Sequence, residues 1–171
     1  MLMMKLLGGA LIIISCAGLG FQIAGSYFLE RQLLGQWINA LDFMQCELQY
    51  RMTSLPEICR QAASNGKGRI RLLFVSLADE LDRQLLPDVS ACMDIAIKSV
   101  PDLPQSLEEA AEELGKTLGR FDTDGQVRQL EAARHSSRKR LENLEKGAQE
   151  RTRAYQTLGI CGGAAIAILL I

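Results

Sequence analysis

Charge is absent from both ends of this chain and dense between them. No residue from Leu6 to Ala24 is charged, and none from Ala154 to Ile171. All 20 acidic residues and 18 of the 19 basic ones lie between Glu30 and Arg153. A helix needs about 20 apolar residues to cross a hydrocarbon core of about 30 Å at about 1.5 Å per residue. The first segment, LLGGALIIISCAGLGFQIA, offers nineteen residues with one amide, Gln22. The second, AYQTLGICGGAAIAILLI, is strongly apolar only from Leu158, a run of fourteen. That run spans only with local thinning of the bilayer and Tyr155 at the interface. The pattern predicts an anchor over residues 1–25, a polar domain over 26–153 and a second anchor over 154–171.

Two other readings of the first segment carry less weight. A cleaved signal would use Lys5 as its basic start, but no small-residue cleavage site precedes the end of the apolar run. A lipoprotein signal would use Ile13-Ile14-Ser15-Cys16. It would leave AGLGFQIAGSYFL as an apolar start to the lipidated chain. This alternative makes the protein an anchored helical interaction module with an extracytoplasmic domain.

Basic residues near the spans set orientation. Arg151 and Arg153 directly precede the second segment, with Arg138, Lys139, Arg140 and Lys146 behind them, against Lys5 alone at the other end. The excess predicts a cytoplasmic polar domain. Net charge is −1, which gives no bias toward nucleic acid. Residues 126–154 hold eight basic and four acidic side chains, but Glu142, Glu145 and Glu150 are interspersed, as on a solvated helix face.

Between the anchors the periodicity is helical and strand signals are nearly absent. Leu34, Trp37, Leu41, Met44 and Leu48 recur at three and four, giving a first helix one apolar seam. Ser54-Leu55-Pro56-Glu57 has the form of a capping box for a second helix, which Asn65-Gly66 ends. A third helix carries Leu72, Leu73, Val75, Leu77 and Leu81 and is stopped by Pro87. A fourth covers DVSACMDIAIKSV before Pro101. A fifth covers SLEEAAEELGKTLG. Asp122 or Asp124 caps a long sixth helix, whose seam runs through Val127, Leu130, Leu141, Leu144, Ala148, Tyr155 and Leu158, interrupted by Arg134, Ser137 and Arg151. First and last helices that leave one bilayer surface must run antiparallel. The expected fold is therefore all-α: an antiparallel bundle of about six helices flanked by transmembrane helices.

No residue pattern supports catalysis. His135 is the only histidine and lies among Arg134 and two serines. Five cysteines include no C-x-x-C pair and read as reduced thiols. Asp122-Thr123-Asp124-Gly125 lacks the further ligands of a calcium loop. Asn65-Gly66-Lys67-Gly68 lacks the rest of a phosphate loop. The expectation is a non-enzymatic protein without cofactor or metal. Gly159, Gly163 and Ala167 form a small-residue ridge suited to helix packing in the membrane. Partner contacts are expected at two charged clusters, Arg138, Lys139 and Arg140, and Glu108, Glu109, Glu112 and Glu113. Ser64 and Ser137 are read as positions where a cysteine label would report which side of the membrane holds the domain.

Four stretches in order, KLLGGALIII, ALDFMQCELQYRMTSLPEICRQAA, LGKTLGRFDTDGQVRQLE and TLGICGGAAIAILLI, make the chain resemble the stage III sporulation protein AB family. Ser54, where Thr is expected, and Cys16 and Cys161 depart from its pattern. The resemblance implies a six-helix bundle similar to the cytoplasmic domains of type II secretion and type IV pilus platform proteins. It implies a place in the channel complex between mother cell and forespore during engulfment, in the mother-cell membrane. It also implies partners: the secretion-type ATPase stage III sporulation protein AA, and ring-forming proteins of the same complex. It allows a homo-oligomer.

Overall fold

A computed structural model describes the backbone of residues 2–51, 53–83, 88–119 and 123–170, and the side chains of 27–51, 53–83, 88–119 and 124–147. The described backbone is helical throughout its regular parts, with no strand. Two long helices, α1 (Leu2–Arg51) and α6 (Thr123–Leu170), flank four short ones: α2 (Leu55–Asn65), α3 (Gly68–Arg83), α4 (Val89–Ser99) and α5 (Gln105–Thr117). Each helix packs on its neighbours in sequence, and the ring closes where α6 returns to α1, the most extensive helix pairing. The expected six-helix bundle is what the polar region forms.

The core is built on the predicted α1 seam. Leu34, Trp37, Leu41, Met44 and Leu48 are all buried. Trp37 stacks on Phe74 of α3, with ring centroids 5.5 Å apart and planes inclined by 17°. The buried α3 stripe is narrower than the run of apolar residues in its sequence. Ile70, Leu73, Phe74, Leu77 and Ala78 face inward, whereas Leu72 and Val75 are exposed. Inward spacing of three and four selects Phe74 over its two aliphatic neighbours.

Helix ends also depart in detail. Gly66 closes α2 as expected, donating its N–H to Ala62 O and Ala63 O at 3.0 and 3.2 Å. The capping box at its start does not form: Ser54 Oγ makes no cap bond. Glu57 instead accepts from Gln61 Nε2 at 3.1 Å and pairs with Arg60 at 3.5 Å. Pro56 in the first turn has no N–H to satisfy, which lessens the need for a cap. Asp88 caps α4 by accepting from Ser90 N–H. Asp124 does not precede α6 but lies in its first turn, and Asp122 lies outside the described residues.

Close approach fixes α4 against α5. A Cβ on Gly115 would meet Met93 Cβ at 2.8 Å. Gly119 holds φ +80° beyond α5, and a Cβ there would meet Val89 Cγ2 at 2.7 Å.

Among the described residues no helix is long and apolar enough to cross a membrane. Both apolar segments lie outside the residues whose side chains are described, as do Gly159, Gly163 and Ala167. Their backbone continues α1 and α6 without a break.

Candidate functional site

The pairing of α1 with α6 is held by polar contacts at fixed heights. Arg31 Nε meets Glu145 at 2.8 Å. Further along α1, Trp37 Nε1–H donates to Ser137 Oγ at 3.2 Å, and Ser137 in turn donates to Ala133 O at 2.8 Å. Further still, Arg134 meets Asp42 at 2.5 Å and Arg138 reaches the same carboxylate at 3.7 Å. The α6 partner falls in number as the α1 residue rises, so the helices run antiparallel and one register satisfies all three rungs. Asp42 raises the Arg134 pKa, chiefly by its hydrogen bond, so the guanidinium stays charged.

These rungs explain the two described interruptions in the α6 seam. Arg134 and Ser137 are not defects in an apolar stripe. Each hands a polar group to α1. Ser137 is buried at 1% exposure, which corrects its reading as a surface labelling position. Ser64 is exposed, as expected. The Trp37–Ser137 pair is not legible from residue order, because a hydrogen bond across 100 residues leaves no local pattern.

The two charged clusters prove to be neighbours. Arg140 of α6 bridges Glu109 and Glu113 of α5 at 2.7 and 3.6 Å. Gln105 Nε2 also donates to Glu109 at 3.1 Å. The Arg140 hydrogen bond, followed by that of Gln105, holds the Glu109 carboxyl below its ordinary range. Arg138 is committed to Asp42. Lys139 and Glu112 remain exposed and Glu108 half-buried, and none of the three has an ion pair among the described residues. A second link ties α5 to α1, where Ser106 Oγ–H donates to Glu30 at 2.5 Å.

Cys59 is fully buried, and desolvation pushes its thiol up to about 12, far from thiolate at neutral pH. His135 is exposed. Among the described residues no group of three or more His, Cys, Asp or Glu side chains could hold a metal ion. The geometry offers an aligned helix pair, with Lys139 and Glu112 as exposed charges of the two clusters.

The stage III sporulation protein AB family model matches residues 5–171. The chain belongs to that family. Stage III sporulation protein AB of Bacillus subtilis (strain 168) is 25% identical over 172 residues, covering 99% of this chain and 100% of that protein. A solved structure of stage III sporulation protein AB superposes with a TM-score of 0.60 at 21% identity, over 69% of this chain and 94% of that one. The structural likeness shows the same fold. Membership of the stage III sporulation protein AB family gives the chain a role in sporulation, and the family is not one of known enzymes.

Proposed function

We propose that this chain is a non-enzymatic membrane platform of the sporulation channel. Residues 6–24 and 154–171 span the mother-cell membrane that surrounds the forespore. The bundle of residues 26–153 stands in the mother-cell cytoplasm. It couples a secretion-type ATPase, stage III sporulation protein AA, to the channel proteins in the membrane. One observation carries this reading. The antiparallel register of α1 and α6 brings both apolar segments to one end of the bundle, each as an unbroken continuation of a bundle helix. A force on the bundle then reaches the bilayer through two continuous helices rather than flexible linkers. Gly159, Gly163 and Ala167 form a ridge for close helix packing inside the membrane.

Within the two charged clusters, the ATPase contact falls on the charges that make no ion pair among the described residues. Arg138, Arg140, Glu109 and Glu113 serve the fold, which leaves Lys139, Glu112 and Glu108. Reversing Lys139→Glu together with Glu112→Lys is expected to lower recovery of the ATPase with the tagged full chain from solubilised membranes. Unchanged recovery would remove this face as the contact.

A further inference from the structure

The side of α1 turned away from its core seam carries a second regular pattern. Gln32, Gln36, Asn39, Phe43, Cys46 and Tyr50 follow one another at spacings of four and three. Such spacing lines one helix face over about 27 Å. Four of the six are exposed and the other two half-buried, with Tyr50 at 80%. The face holds no charged residue, in a chain with 39. Of the charges of this stretch of α1, Glu30 meets α5 and Arg31 and Asp42 meet α6, while Glu47 pairs along α1 with Arg51. A solvated face of this length ordinarily carries charge. Phe28, 68% exposed, lies one turn before Gln32 on the same side. A cleft of 390 Å³ opens along the face, between Gln32, Gln36 and Asn39 and the Asn65–Lys67 corner. Gln36 Oε1 is buried there without a hydrogen-bond partner.

We infer that this face is the contact between two copies of the chain, paired side by side and parallel. The inference rests on the membrane-spanning reading above, because anchors in one membrane hold both copies the same way up. In a parallel pair with this spacing each position meets its own counterpart across the two-fold axis. Gln32, Gln36 and Asn39 suit that rule, since a carboxamide both donates and accepts and so complements itself. A charged side chain in their place would meet its own charge. Phe43 and Tyr50 supply apolar contact at the far end. One helix face buries less than the roughly 1,200 Å² of a stable free-standing interface. Pairing therefore depends on confinement in the membrane, which raises effective concentration.

Cys46 sits on the seam and reports on it directly. The full chain carrying Cys16→Ser and Cys161→Ser is oxidised with copper phenanthroline in native membranes. Parallel pairing is expected to give a disulfide-linked dimer that disappears with Cys46→Ser. Asn39→Arg should reduce that dimer at least fivefold while leaving thermal unfolding unchanged. No dimer, in membranes where Cys46 still reacts with maleimide, overturns the inference, as does a dimer that Asn39→Arg leaves intact. Alkaline carbonate extraction separates the two readings. A chain released by carbonate contradicts the spanning reading by itself, and the Cys46 crosslink, measured before extraction, still decides the pairing.

Discussion

The α1–α6 pair and the packet of α2 to α5 are held together in different ways. The packet buries apolar side chains from every one of its helices in one core with Trp37 and its α1 neighbours. On α6, Leu130 is the buried hydrophobic among the described residues, and Val127, Ala133, Leu141 and Leu144 are only partly covered. Polar rungs at Arg31–Glu145, Trp37–Ser137 and Asp42–Arg134 take the place of that missing apolar contact. Burial is strong but indifferent to register, whereas a polar rung is weaker and works at one register only. The short helices thus supply most of the stability, and the long pair supplies alignment.

The largest test of that division strikes the packet. Phe74→Ala removes the stack under Trp37 and opens a cavity on the α3 side, and should cost about 3–5 kcal/mol in denaturant unfolding. A loss under about 1 kcal/mol would mean that the packet is not the main source of stability. Next comes Gly115→Val, which pushes a side chain into Met93 and should cost about 1–3 kcal/mol by the same measurement. An unchanged midpoint would mean that α4 and α5 do not approach so closely.

The alignment device predicts smaller effects. A double-mutant cycle on Asp42→Asn and Arg134→Gln should return a coupling of about 1 kcal/mol or less, since both partners are partly exposed. Coupling near zero would leave the register to the apolar seam alone. The smallest effect is a pH dependence at the α5–α6 contact. The Glu109 pKa is lowered in the fold, so its contribution is fully present above the ordinary glutamate range. It is lost as pH falls through the lowered value. Arg140→Gln should flatten this slope in acid-range unfolding curves, and an unchanged slope would place the linkage elsewhere.

Most of the fold is legible in the sequence because it follows from local rules. The α1 seam, the glycine end of α2 and the stop near Pro101 depend on neighbours within a turn or two. The failures have one physical origin. Ser137 looked like a surface serine because its partner, Trp37, is 100 residues away. The two charged clusters read as free surfaces for the same reason, since sequence does not reveal that Arg140 reaches Glu109 and Glu113. Lys139 and Glu112 were legible as exposed charges. That they, unlike Arg140, Glu109 and Glu113, make no ion pair among the described residues was not.

The account depends most on which side of the membrane holds the bundle. Ser64→Cys, at an exposed position on α2, is introduced into the full chain with its five native cysteines replaced by serine. Intact sporulating mother cells are treated with a membrane-impermeant maleimide, then permeabilised and treated again. The account predicts protection before permeabilisation and labelling after it. Labelling of intact cells would place the bundle outside the cytoplasm and contradict its coupling to a cytoplasmic ATPase.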